Sequence, residues 1–260
     1  MDAEVRTRPA RAFEIDLLRG ITLCWVIFMH FSYDMRYFFK VDAFDYLDGK
    51  AYWTFWEPLV LCVFVGLAGI CCSFSRNNFK RGIKLLLVAV ILTVVTYLVD
   101  RYMKLGCLIL FNVIHVLAVS IFFYALVSFV EQRFGIDERK VDLLLFFVAV
   151  WVMTIGPQIY RYDGILESNI LLPFGIRGKT YPEMGDYMPL IPWFGVFLAG
   201  AVVGRIIYKD KKTLFPEAPQ VLRKVSKPFE FIGRHSLIIY LVHQPLVIGA
   251  AYLIFSWEGK

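Results

Sequence analysis

Charge is scarce in this sequence. Only 19% of its 260 residues are Asp, Glu, Lys or Arg, against roughly 25% in an ordinary soluble domain, while 58% are hydrophobic. That shortage excludes a chain kept in solution by a charged surface. The apolar surplus lies in long runs, as in an integral membrane protein. Histidine is scarcer still, with four in the chain, and there are five cysteines: Cys24, Cys62, Cys71, Cys72 and Cys107. The cysteine count is odd, most fall inside apolar runs, and no pair has metal-ligand spacing with a nearby histidine. No disulfide framework, zinc site or other metal is expected. Internal repeats, an inverted-repeat pattern and low-complexity tracts are lacking. The first apolar run has no small-residue cleavage site after it and contains Asp16 and Arg19. It is expected to be a retained span rather than a signal peptide.

What is present is a succession of apolar segments at residues 14–34, 55–74, 83–99, 111–130, 141–157, 188–208 and 235–255. The expected fold is all-α: a polytopic membrane helix bundle of about seven transmembrane helices, with residues 1–260 forming one membrane domain. The stretch after the first span is aromatic and acidic (Asp42, Asp45, Asp48) and is expected at the interface. Gly66 and Gly69 in the second span allow close helix packing. A basic turn (Arg76, Lys80, Arg81) follows it. The connection after the fifth span is long and rich in Gly and Pro, a kind of loop that is often functional. A long basic loop precedes the seventh span.

The net charge of +6 bears on topology rather than on nucleic acid. Nineteen of the 28 Lys and Arg residues fall on the side shared by the N-terminal stretch and the 2–3, 4–5 and 6–7 connections. Basic residues concentrate on the cytoplasmic side. The N-terminus is therefore expected inside and the C-terminus outside.

The first span is the unusual one. It carries Asp16, Arg19, His30 and Asp34, although each charge in a span costs about 2.5–3.5 kcal/mol on insertion scales. At 100° per residue Arg19 and His30 project from nearly one side, and both aspartates fall close to it. A rise of 1.5 Å per residue separates the arginine and the histidine by roughly 16 Å along the axis. Such a stripe suits a long ligand, with a charged head at one end and chemistry at the other.

The other candidates each admit two readings. His115 begins the fourth span, at a depth similar to His30, and His243 lies near the middle of the seventh. Either can serve a reaction, histidine being the commonest general base near neutral pH, or simply hydrogen-bond within the bundle. His235, beside the basic loop, is read as structural. Arg19 can snorkel to lipid phosphate or pair with Asp16, and equally can grip a ligand phosphate in bidentate fashion. Asp186 and Tyr187, before the sixth span, read as an N-cap-like carboxylate with an interfacial aromatic. Alternatively, Asp186 orients a histidine or holds an amine or hydroxyl substrate. Ser236, Tyr240, His243 and Val247 share one face of the seventh span. Pro245 there frees the Leu241 carbonyl for another donor. This is a pocket wall or interhelical glue.

These residues carry a resemblance. IDLLRGITLCWVIFMH is similar to the first helix of the transmembrane acyltransferase superfamily, in which an arginine, ten residues and a histidine recur; here they are Arg19 and His30. FNVIHVLAVS, DYMPLIPWFGVFLAGAVVGR and FIGRHSLIIYLVHQPL narrow it. In this order they resemble bacterial relatives of the heparan-alpha-glucosaminide N-acetyltransferase catalytic domain, over nearly the whole chain. The resemblance implies a membrane-bound acyltransferase in the bacterial plasma membrane. It would move an acyl group, most often acetyl, from acetyl-CoA in the cytoplasm to a hydroxyl or amine of an extracytoplasmic sugar or small acceptor. It implies His30, His115 and Asp186 as catalytic residues and Arg19, Arg234 and His243 as contacts to coenzyme A. Asn112 or a helix dipole would stabilise the oxyanion. Nucleic acid is not an expected partner; the lipid bilayer is, and related enzymes form homodimers. Two departures are visible. The eukaryotic lysosomal members carry additional N-terminal lumenal sequence and more spans. Their pattern also has asparagine where His30 stands, with the active histidine in the following loop; here no histidine occurs between His30 and His115.

Two other classes remain in view. A polytopic transporter or lipid-carrier flippase also uses intramembrane charges and broken helices, although seven spans do not divide into equal halves. A structural membrane subunit would give the polar stripe little purpose.

Overall fold

The structure is a computed structural model that describes the backbone of residues 12–258 and side-chain surroundings from residue 12 to 254. Arg6, Arg8, Arg11 and Lys260, which enter the charge asymmetry, lie outside the described residues. Among the described residues there are eight α-helices and no strand. They are α1 (Phe13–Tyr33), α2 (Glu57–Phe74), α3 (Asn78–Met103), α4 (Val113–Phe134), α5 (Glu138–Ile159), α6 (Leu190–Ile207), α7 (Gln220–Arg234) and α8 (Ser236–Glu258). All except α7 belong to helical stretches long and apolar enough to cross a bilayer, seven in number. The expected spans match these in number and order.

The differences are at the ends and have local causes. α3 begins earlier than the apolar run because Asn77 caps it, its side-chain oxygen accepting from the Lys80 N–H at 2.8 Å. Asp137 caps α5 in the same way through the Arg139 N–H at 2.9 Å. In the first turn of α6, Ile191 is non-helical (φ −102°, ψ 125°), because the ring of Pro192 disfavours the α region in the residue before it.

The larger correction is α7. The basic loop expected before the seventh span holds a helix of 15 residues. Its pattern is strongly amphipathic: Val221, Leu222, Val225, Phe229 and Ile232 fall on one side, and Lys224, Lys227 and Arg234 on the other. A search for apolar runs passes over it because the charges are interleaved.

The chain forms two compact units. One comprises the residues up to Phe64 together with those from Asp210 on, the other Val65–Lys209.

In the first unit α1 packs against α7 and α8. A side chain on Gly20 would collide with the Phe229 carbonyl, and one on Gly233 with the Asp16 carbonyl; the two glycines let the backbones touch. Glu14 is buried at the start of α1 and fixes the incoming chain, accepting from the Thr213 hydroxyl at 2.7 Å and the Leu214 N–H at 2.8 Å. Past α1, Met29, Leu47 and Tyr52 form a small buried core. Arg36 gathers the expected acidic stretch around itself, reaching Asp42 at 3.4 Å, Asp45 at 2.9 Å and Asp48 at 2.7 Å. The Tyr37 hydroxyl, with Arg36, holds the Asp48 carboxyl below its usual range.

In the second unit α3 packs on α4, α5 on α6, and α4 on α6. Of the two glycines expected to allow close packing, Gly69 does so, a Cβ there striking the Phe197 carbonyl, while one on Gly66 would meet open space; Gly200 of α6 is the second close-approach glycine, its Cβ striking the Gly66 carbonyl. Arg205 joins three helices. It forks onto Glu131 at 2.6 and 2.9 Å and donates to Asp142. The connection from α5 to α6 is internally ordered. The Arg177 N–H donates to Asp163 at 2.8 Å, its guanidinium pairs with the same carboxylate, and Asn169 bonds the backbone of Gly178 and Thr180 at 2.8 Å each.

Candidate functional site

In the first unit, helical periodicity turns one polar stripe of α1 toward α7 and α8. At the N-terminal end of the stripe Asp16 is buried and accepts from the Arg234 Nε at 3.0 Å. Arg234 also donates to Glu230 at 2.7 Å, which in turn takes the Ser226 hydroxyl at 2.6 Å. Arg19, one turn further, donates to the Ser236 hydroxyl at the start of α8.

Two turns or more toward the other end, the His30 ring stands 5.2 Å from the His243 ring, centroid to centroid. One turn beyond His30, the buried Asp34 accepts from the Gln244 amide at 2.8 Å. Arg19 with Ser236, and His30 with His243, are thus two stations on one helix pair. Ser236, His243 and Ala251 are buried on the inner face of α8, so the face read from the sequence is the one that packs.

Among the described residues His30 makes no hydrogen bond. It is half-buried, and an imidazole in that state can accept a proton or attack an acyl carbon. Arg234, expected to contact coenzyme A, has a side chain that is 41% exposed and pairs with two carboxylates. His243 stands at the histidine station rather than at the arginine station. Gln244 and Glu230 were not singled out in the sequence. Gln244 adjoins His243 in LVHQPL, which was its only signal. Glu230 lay in a segment read as loop.

The second unit holds His115, Asp186 and Asn112. Asn112 caps α4, its side-chain oxygen accepting from the Ile114 N–H at 3.1 Å. Its amide nitrogen donates to Asp186 at 3.1 Å. His115 closes the cap from the other direction, its Nδ1 accepting the Asn112 N–H at 3.2 Å. The same Nδ1 lies 3.0 Å from the Asn112 Oδ1, and Nε2 faces the Thr93 hydroxyl at 3.1 Å. Both ring nitrogens of His115 are therefore engaged, and Asp186 reaches it through Asn112. The N-cap position of α6 is Pro189, so Asp186 ties the loop to α4 rather than capping α6. Tyr187 donates to the Leu172 carbonyl at 2.6 Å, and burial pushes its phenol up to about 12. His235, read as structural, lies beside the Phe231 carbonyl at 2.8 Å. No group of three or more metal-ligating side chains is found among the described residues.

Seven apolar spans, with an arginine and a histidine aligned on the first of them against the last, define a multi-pass membrane protein with a polar stripe in its helix packing. The family model described as heparan-alpha-glucosaminide N-acetyltransferase, catalytic, matches residues 11–245. The chain belongs to that family of membrane acetyltransferases. No curated protein and no solved structure matches it.

Proposed function

We propose that this protein transfers an acetyl group from acetyl-CoA, bound at the Arg19 end of α1, to an amine or hydroxyl of a sugar or small acceptor at the His30 end. In this reading residues 1–260 work as one catalytic domain in a plasma membrane, with the N-terminus and the basic connections inside and the C-terminus outside. The observation that carries it is the aligned pair on α1, with Arg19 on Ser236 and His30, free of hydrogen bonds among the described residues, beside His243.

The residues fit the donor's shape. Its diphosphate head needs cationic hydrogen-bond donors, and the Arg19 guanidinium supplies them. The roughly 16 Å between the two stations suits an extended thioester arm. At the far end His30 takes the acceptor's proton, the acceptor nitrogen or oxygen attacks the thioester carbon, the C–S bond breaks, and the departing thiolate takes up the proton. In the nucleophilic variant the imidazole carries the acetyl group between the two partners. Asp34, held by Gln244, lies one turn from His30, where its charge stabilises the imidazolium. His115 and Asp186 support the reading as organisers of the α4 N-terminus.

The test uses purified protein in detergent. Acetyl-CoA should raise its thermal midpoint, Arg19→Ala should remove that rise, and His30→Ala should abolish acetyl transfer to glucosamine while leaving the rise intact. An unchanged rise in Arg19→Ala overturns the head-group contact. Passage of an unmodified labelled solute through proteoliposomes would replace the whole reading with a transporter.

A further inference from the structure

Among the described residues α7 is the one α-helix outside the seven apolar spans. Its 15 residues reach about 22 Å, short of the roughly 30 Å hydrocarbon layer, so it does not cross a bilayer. Its packing fixes where it lies. Phe229 and Gly233 touch the backbone of α1 at Gly20 and Asp16, and the Arg223 guanidinium sits 3.9 Å from the centre of the Phe13 ring. These contacts place it on the first turns of a transmembrane helix, at the level of a membrane surface.

The rest of α7 has two flanks, and Phe231, 62% exposed, lies on the lysine one. Ser226, Glu230 and Gly233 are buried. On one flank Val221 and Val225 are 73% and 60% exposed. On the other flank Lys224 and Lys227 are exposed. In water the apolar flank would be an uncovered patch. At the boundary between headgroups and acyl chains it is buried, and lysines beside it meet lipid phosphates.

We propose that α7 lies in the plane of the membrane at the N-terminal end of α1 and binds anionic phospholipid, with Val221 and Val225 in the acyl layer and Lys224 and Lys227 on the headgroups. Charge complementarity selects the ligand: two exposed ammonium groups beside an apolar stripe favour an anionic over a zwitterionic surface. Arg234 ends α7 and grips Asp16, and Ser236 follows it and holds Arg19. Lipid seated on α7 therefore steadies the arginine end of the polar stripe. The proposal stands apart from the acetyl-transfer reading.

The experiment compares the full chain in nanodiscs of phosphatidylcholine alone and of phosphatidylcholine with phosphatidylglycerol, read by thermal midpoint. The wild type should melt several degrees higher with phosphatidylglycerol. Lys224→Gln/Lys227→Gln should lose at least half of that rise while matching the wild type in phosphatidylcholine. Lys211→Gln/Lys212→Gln, in the connection before α7, should keep the rise. Val225→Glu should lower the midpoint in both discs, and inorganic phosphate added to phosphatidylcholine discs should move nothing. An equal rise in the Lys224/Lys227 variant, an equal loss in the Lys211/Lys212 control, a silent Val225→Glu, or a rise reproduced by phosphate would each overturn it.

Discussion

His115 in the second unit and His30 in the first are both half-buried imidazoles on apolar spans, and they are held in different ways. His115 is enclosed by its own helix start: Asn112 donates to one nitrogen and Thr93 meets the other. Among the described residues His30 makes no hydrogen bond, with the ring of His243 beside it and the Asp34 carboxylate one turn on. A buried polar group without a hydrogen bond costs free energy that a well-bonded one does not. This contrast predicts a structural weight for His115, bonded at both nitrogens, and a catalytic one for His30. The arginines divide likewise. Arg205 is locked between Glu131 and Asp142, while Arg19 donates to a neutral hydroxyl.

The comparison is broken most directly at the histidines. His30→Ala should lower kcat for acetyl transfer by about 10²- to 10⁴-fold, the usual worth of a positioned acid or base, with little change in thermal midpoint. His115→Ala should do the reverse, costing about 0.5–2 kcal/mol of stability through the lost cap and leaving turnover per folded molecule within a few-fold. A kinetic assay paired with a melting curve reads both. If His115→Ala proved as inactive as His30→Ala while equally stable, the division would be wrong.

The arginines should separate by stability. Arg205→Ala leaves the buried Glu131 and the half-buried Asp142 without their cation, a change worth up to about 3–5 kcal/mol. It should unfold or fail to accumulate unless Glu131→Gln and Asp142→Asn are added, which should restore most of the yield. Ser236→Ala removes only the hydroxyl that accepts from Arg19, so its melting temperature should fall less. Gly20→Val comes next. Its side chain must displace the Phe229 carbonyl, so it should cost about 1–3 kcal/mol and raise protease sensitivity within the 210–234 segment. Gly66→Ala, which meets open space, should be neutral in both assays.

How much of this was legible follows from the same contrast. Hydropathy alone gave the seven spans, because a span needs a long apolar run and few sequences hold one by accident. The stripe on α1 was legible because 100° per residue converts positions 16, 19, 30 and 34 into one face. Partners across the fold were not legible. Asn112 and Asp186, and Asp34 and Gln244, meet only once helices distant in sequence have packed. Glu131, Asp142 and Arg205 lie far apart in the sequence, and only tertiary structure joins them. α7 escaped because its lysines dilute the apolar stripe below what a search for membrane spans detects, although the period of the stripe was present throughout.

The smallest expected effect lies in the loop between α5 and α6, where charge sits at the surface rather than in a span. The Arg177 guanidinium and backbone hold the Asp163 carboxyl below its ordinary value. A depressed carboxyl stabilises the folded form above its unfolded pKa, about 3.9, and that contribution disappears as pH falls through the lower folded value. Between pH 6 and pH 3 the wild-type midpoint should therefore fall more steeply than that of Asp163→Asn, and the two curves should converge at the acid end. The pair is partly exposed, so screening keeps the gap small, and high salt should narrow it further.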